Sequence, residues 1–226
     1  MNQNTPRQTL TNAVRVVLEE TDADERIEEL KQTAQQRRER PDMLWFELIL
    51  SMGTWGNSRG GKLATDETYY SQVEYSHLLD MDENERIDHL QNVLDDAGVR
   101  YPNKKSRYIS SQMNKVRESG GLTPAQKEFE SKNGKEAKID FLREFKGIGD
   151  KYARNIGMDV FHPDFRDTIA LDDRIDSVSD ELGVEFESYE KHEQFYVDIA
   201  DRLDMTAWEL DRLLYRYIDE ITDEIN

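Results

Sequence analysis

The chain has 226 residues and a mass of 26.5 kDa, enough for one large or two small domains with a buried core. It contains no cysteine, which excludes disulfides, thiolate zinc sites and cysteine-ligated iron–sulfur clusters. With 30 Lys and Arg against 48 Asp and Glu the net charge is −18, which for the molecule as a whole argues against a polyanion partner.

Taken in chain order, the sequence reads as helices. Leu10, Ala13, Val14, Val17 and Leu18 follow the i, i+3, i+4, i+7, i+8 stripe of an amphipathic helix. Met43 to Met52 is a long apolar segment after Asp42, and reads as a helix capped by that residue. Gly56-Asn57-Ser58-Arg59-Gly60-Gly61-Lys62-Leu63 follows as a glycine-rich loop. Ile87, Leu90, Leu94 and Ala97 repeat the helical stripe before Gly98. Gly120-Gly121 punctuates, and Thr123-Pro124-Ala125-Gln126 offers an N-cap, a proline at the first position and Gln at the third. Asn133-Gly134 stands in polar surroundings and gives no hairpin signal. Phe141 to Ile156 reads as two helices joined through Gly147-Ile148-Gly149. Near the C-terminus Thr206 and Glu209 form a capping box ahead of Leu210, Leu213, Leu214, Tyr217, Ile218 and Ile221. About ten helices, no strand pattern and no repeat predict an all-α fold.

Leu, Ile, Val and Phe account for 51 residues and the aromatics for 21, so periodicity and core content favour folding over disorder. A dense carboxylate surface on a folded chain fits a salt-adapted, halophilic protein, because screening removes its self-repulsion. No apolar run reaches 18 residues and Met1 to Leu10 lacks a signal-peptide core, so a cytoplasmic protein without a membrane partner is expected.

The charge is uneven. Arg100 to Arg154 holds 14 Lys or Arg against 7 Asp or Glu, a basic block inside an acidic chain and a local anion-binding footprint. Two segments compete as phosphate sites. Gly56 to Leu63 matches G-x-x-x-x-G-K but ends in Leu63 where a nucleotide site needs the hydroxyl that binds Mg²⁺. It follows a helix, whereas that loop requires a buried strand and a parallel sheet, so no nucleotide cofactor is expected. The second segment is Lys146-Gly147-Ile148-Gly149-Asp150-Lys151. Both glycines are expected to take φ > 0 and let a ligand approach the backbone, while Ile148 plugs the turn into the core. Freed N–H groups at the start of the following helix make an anion site, read as a helix–hairpin–helix on a phosphodiester. The four histidines show no metal-ligand spacing, so no metal is expected on side chains.

Lys146 to Lys151, followed by Ile169-Ala170-Leu171-Asp172-Asp173-Arg174-Ile175, resembles the helix–hairpin–helix base-excision DNA glycosylases. Upstream, Ala97-Gly98-Val99-Arg100-Tyr101 and Asn103-Lys104-Lys105-Ser106-Arg107-Tyr108-Ile109 are similar to that family's helix ahead of the hairpin, most like the archaeal-type 8-oxoguanine DNA glycosylase/lyases. The resemblance spans roughly residues 43 to 183 and implies a two-lobed helical fold with an active-site cleft between the lobes. One lobe would be 41–183, with the helix–hairpin–helix at about 139–160, and the other 1–40 with 184–226. The implied function is excision of a damaged base, 8-oxoguanine by the nearest resemblance, from double-stranded DNA by a monomer with abasic-site lyase activity. The family's Schiff-base lysine falls on Lys151 and its essential carboxylate on Asp172, with Asp173 as the neighbouring fallback. The interval between them is a few residues longer than usual, through His162 to Asp167. Lys146, Gly147, Ile148, Gly149, Arg154, Lys104, Lys105 and Arg107 are the implied DNA contacts, with no cofactor required beyond a monovalent cation at the hairpin backbone. The chain ends in Glu224-Ile225-Asn226 and lacks the basic C-terminal residue of the archaeal members.

The chemistry suits these residue types. An amine must be neutral to attack C1′ of the sugar, and Lys151, at a helix N-terminus among cations and partly desolvated, is placed to lose its proton. Asp172 can accept a proton and stabilise the charge developing on the sugar; it is equally a good helix N-cap. Trp55, where the family inserts a residue into the DNA gap, and Trp208, near the family's base pocket, read either as core or as pocket residues. A non-catalytic helix–hairpin–helix DNA-binding protein is the alternative, since binding needs only the hairpin.

Overall fold

The structure, a computed structural model, describes residues 4–56 and 58–225, and among these every regular element is helical. The chain separates into two compact units: residues 1–38 with 158–226, and residues 39–157. Among the described residues no helix is long and apolar enough to cross a membrane.

The first unit opens with α1 (Asn4–Glu20) and α2 (Ala23–Arg38). The continuous unit then holds α3 (Met43–Thr54), α4 (Lys62–Thr65), α5 (Glu67–Val73), α6 (Tyr75–Leu78), α7 (Glu83–Asp96), α8 (Pro102–Glu118), α9 (Leu122–Ser131) and α10 (Gly134–Arg143). The division falls within α11 (Asp150–Asp159), after which α12 (Asp173–Glu181), α13 (Tyr189–Arg202), α14 (Ala207–Arg216) and α15 (Ile218–Ile225) complete the terminal unit. The fifteen helices among the described residues exceed the expected ten because single-turn pieces such as α4 and α6 carry too few residues for a periodic stripe.

In the terminal unit α1 lays Leu10, Val14 and Val17 against α13 and α15, and Leu210, Leu213 and Leu214 of α14 close the same core. Each fully buried Leu or Val side chain is worth about 1.5–3 kcal/mol. Ile169, Ile175 and Val178 belong to this core, so residues 158–183, expected in the central lobe, pack with the chain ends instead. The capping box of Thr206 and Glu209 is formed as expected.

In the continuous unit α3 is the buried axis: from Met43 to Gly53 only Leu50 is even partly exposed. It packs on α8 and α9, and α7 packs on α8. Two local expectations are corrected. Helix α9 starts at Leu122 with Gly121 as its N-cap, so Thr123 lies inside the first turn. Asp42 caps α3 by position only; its carboxylate is taken by Arg40, at 2.9 Å, and by the Tyr70 hydroxyl, at 2.6 Å.

Candidate nucleic-acid interface and catalytic residues

The hairpin is built from the end of α10 upward. After Arg143 the chain turns through Phe145 N–H to Leu142 O at 3.1 Å and Ile148 N–H to Phe145 O at 3.0 Å. Gln112 Nε2 donates to Lys146 O at 2.8 Å and fixes the turn to α8. Ile148 is buried, as a plug should be. Gly147 has φ +90°, and a Cβ there would lie 2.6 Å from the Tyr108 ring, so both conformation and space require glycine. Gly149 departs from expectation: its φ lies outside the left-handed region and a Cβ would meet nothing within 4 Å. Glycine there leaves open space beside an exposed backbone instead of permitting a strained turn. The first bond inside α11 runs from Ala153 N–H to Gly149 O at 2.9 Å, so the N–H groups ahead of it have no partner within the helix. Those groups and the helix dipole are of the kind that can hold an anion.

Beside the hairpin lies an aromatic stack. The Trp55 and Tyr108 rings are 6.0 Å apart and 7° from parallel, and Tyr101 extends the group at 6.4 Å from Trp55. Lys104 Nζ lies 4.9 Å from the Trp55 ring centroid, and Lys146 Nζ 5.8 Å from that of Tyr108. Lys104, Arg107, Lys146 and Lys151 are exposed and Arg154 is half-buried. This unit carries 18 Lys or Arg against 20 Asp or Glu, whereas the terminal unit carries 12 against 28. The polyanion repulsion implied by the whole-chain charge therefore belongs almost entirely to the terminal unit.

Two assignments change, and Trp208 takes one of its two readings. Lys105 has no solvent exposure and donates to Trp55 O at 2.7 Å; Arg100 donates to Gly56 O at 2.9 Å. Together they hold the carbonyl groups at the end of α3, so Lys105 positions the Trp55 loop and is not a DNA contact. Burial, with the Arg100 charge adding to it, lowers the Lys105 amine to about 8. Lys151, expected to be partly desolvated, is exposed; any desolvation of its amine must come from a bound substrate. Trp208 is core: it is 2% exposed and its indole N–H donates to Met158 O at 2.7 Å.

The glycine-rich segment at 56–63 is no phosphate cradle. Asn57 lies outside the described residues; Ser58–Gly61 form a 3₁₀ turn, with α4 directly after. A Cβ on Gly60 would lie 2.1 Å from Gly53 O, and one on Gly53 2.4 Å from Gly60 O. The glycines let this turn touch the end of α3.

A second cluster lies in the terminal unit. Asp172 caps α12, accepting from Arg174 N–H at 3.1 Å and Ile175 N–H at 3.4 Å, and pairs with the Arg174 guanidinium. Burial opposes its ionisation, but Arg174 and the two N–H groups outweigh burial and hold the carboxyl below the usual carboxylate range. Arg174 in turn lies 3.8 Å over the ring of Tyr215, which is 57% exposed. Behind them Asp211, on α14, is buried and accepts from Ala170 N–H at 2.8 Å. Burial, against a weaker pull from Arg212 and the Ala170 N–H, raises its carboxyl to about 6, and the charges of Asp172 and Asp159 push the same way. The unit therefore pairs a carboxylate kept ionised with a neighbour that protonates near pH 6. The sequence reading missed Asp211, Arg174 and Tyr215. The signal for Asp211 was available, since a carboxylate interrupts the apolar run Leu210, Leu213, Leu214.

Among the described residues no group of three or more His, Asp or Glu is placed to hold a metal ion. No protein-family profile and no curated protein sequence matches the chain. Solved structures do. The 8-oxoguanine glycosylase/lyase of Methanocaldococcus jannaschii, in complex with a 15mer DNA containing 8-oxoguanine, is similar at TM-score 0.67 and 20% identity, over 92% of this chain and 96% of that one. Another structure of the 8-oxoguanine DNA glycosylase of that organism is similar at TM-score 0.68 and 19% identity, over 97% of both chains. The 8-oxoguanine DNA glycosylase of Thermotoga maritima is similar at 0.68 and 20%, over 94% and 96%. At one identical residue in five the likeness establishes a shared all-helical fold.

Proposed function

We propose that the chain is a DNA glycosylase that removes a damaged base from duplex DNA, acting as a monomer and cleaving the resulting abasic site through a lysine imine. The observation that carries this reading is the exposed hairpin with Lys151 on the first turn of α11, on a fold shared over nine-tenths of its length with 8-oxoguanine DNA glycosylases. The backbone N–H groups after Gly149 hold a phosphodiester, and Lys104, Arg107 and Lys146 add charge around it. The Lys151 amine attacks C1′ of the damaged nucleotide, the C1′–N bond breaks, and the base leaves with a proton. Asp172, kept ionised by Arg174, stabilises the cationic sugar and passes to the departing base the proton that the amine sheds. The C1′ imine then acidifies C2′, and loss of that proton expels the 3′ phosphate. A monovalent cation at the hairpin would use the backbone carbonyl groups. Those of Lys146 and Gly149 each spend one lone pair, on Gln112 and Ala153, and keep another for it.

Borohydride trapping tests the reading. Duplexes with 8-oxoguanine, uracil, a thymine mismatch or an alkylated purine are offered, and one should give a covalent complex that Lys151→Ala loses while still binding DNA. Binding without excision on every duplex would make the chain a hairpin DNA-binding protein instead. A trap of wild-type strength in Lys151→Ala would move the nucleophile elsewhere.

A further inference from the structure

A cavity of about 290 Å³ lies between α2 and α14 in the terminal unit. Arg26 and Arg37 line it from α2, and Arg212 and Arg216 from α14; Asp159 is the one carboxylate among its described lining residues. The concentration is out of proportion to the surroundings. The unit holds 12 Lys or Arg against 28 Asp or Glu, yet four of the twelve face one space with a single acid. The arrangement is also locally unfavourable. Arg212 and Arg216 are i and i+4 on one helix, where like charges repel. Arg26 and Arg37 are three turns apart on one face of α2. Internal carboxylates answer only part of this charge. Arg212 pairs with Asp159 at 3.0 Å and Arg26 with Glu29, but the Arg26 Nε is buried without a hydrogen-bond partner. Arg216 makes no ion pair among the described residues.

We propose that this cavity is a phosphate-binding site, in which guanidinium groups from α2 and α14 clamp one phosphate mono- or diester. Planar guanidinium forks match phosphate oxygens in pairs, and a lining of four arginines with one carboxylate suits a phosphate better than a single carboxylate. The phosphate has two sources, the backbone of a nucleic-acid strand or a free nucleoside monophosphate. The inference stands on the cavity and does not depend on the glycosylase reading.

Calorimetric titration of the full chain with inorganic phosphate and with dAMP tests it, beside DNA affinity measured against salt. Two variants at exposed residues are compared, with circular dichroism melts to show that they fold: Arg216→Gln removes one donor fork, and Thr33→Glu puts a negative charge into the cavity with every arginine kept. Phosphate or dAMP should bind the wild type, about tenfold more weakly in Arg216→Gln and not at all in Thr33→Glu. If dAMP binds and the salt slope for DNA is the same in Arg216→Gln, the natural ligand is a free phosphate ester. If that slope falls by about one, the cavity holds a backbone phosphate. Wild type binding neither small ligand, with an unchanged DNA slope in Arg216→Gln, overturns the proposal. So does small-ligand binding of equal strength in Thr33→Glu.

Discussion

The Lys105 ammonium and the Trp55 carbonyl oxygen are 2.7 Å apart, with the lysine wholly shielded from water. The basic block thus spends one of its cations inward, on the loop that carries an aromatic ring. Burial lowers this amine to about 8 from its ordinary 10.5. Between those values the unfolded chain binds the extra proton, so stability should rise with pH there. Lys105→Met removes that rise. Denaturant unfolding of both proteins at pH 7, 9 and 10.5 should show the wild type gaining on the variant. A constant difference across the range would mean that the amine is not shielded in solution.

The two hairpin glycines should separate folding from binding. Gly147→Ala places a methyl group against Tyr108 on a left-handed backbone, and should cost more than about 1 kcal/mol. Gly149→Ala adds a methyl group in open space and should leave stability within about 0.5 kcal/mol. Its effect should fall on DNA affinity, because the methyl group obstructs the approach to the N–H groups of α11. Melting temperatures and affinities measured side by side decide this; equal DNA affinity in Gly149→Ala and wild type would move the phosphate off the hairpin.

Asp172→Asn keeps a side chain that caps a helix as well as Asp does. If the carboxylate is needed for chemistry, excision should still slow by about 10²–10⁴-fold. Arg174→Gln offers a finer measurement. Arg174 helps to hold the Asp172 carboxyl below its ordinary range, so removing it should raise that pKa. The acid limb of kcat/KM should then move to higher pH, with the plateau above it retained. An unmoved limb would assign it to another group.

Asp211 should make the chain less stable as pH rises. Its carboxyl goes from an ordinary 3.8 to about 6 on folding, so the native state favours the protonated form. The stability it contributes is complete below pH 3.8 and lost as pH climbs through 6. Over that interval the loss amounts to about 3 kcal/mol. Asp211→Asn cannot ionise and its side-chain oxygen can still accept from Ala170, so the variant should match the wild type at pH 3.5 and exceed it by up to that amount at pH 7. Asp172 and Glu209, whose carboxyls lie below their ordinary range, change stability in the opposite sense. The difference between the two proteins isolates Asp211. Equal stability at pH 7 would refute the assignment.

The sequence made legible what depends on neighbours along the chain. The stripe of α1, the capping box at Thr206 and the plug at Ile148 all follow from spacing within a few residues. What depends on distant packing was hidden. Lys105 and Lys104 are adjacent and chemically identical, yet one is buried under Trp55 and the other lies over its ring. No local pattern separates them, because the helix face that meets α3 is set by tertiary contact. Gly147 and Gly149 look equivalent for the same reason; the left-handed backbone at Gly147 and its contact with Tyr108, thirty-nine positions upstream, distinguish them. Asp211 was written plainly into an apolar stripe, but its partner, the Ala170 N–H, comes from another segment.

The three tryptophans differ in a way that light can report. Trp45 and Trp208 are sealed from solvent, each with its indole N–H committed to a backbone carbonyl group, Val73 O and Met158 O. Trp55 alone is partly open, stacked on Tyr108 beneath the Lys104 ammonium and next to the hairpin turn. Those two indoles lie inside their units, away from the hairpin turn, and the third faces the surface proposed to meet DNA. Strand engagement at the hairpin would register as a change in Trp55 emission, giving the unlabelled protein its own optical signal for the encounter.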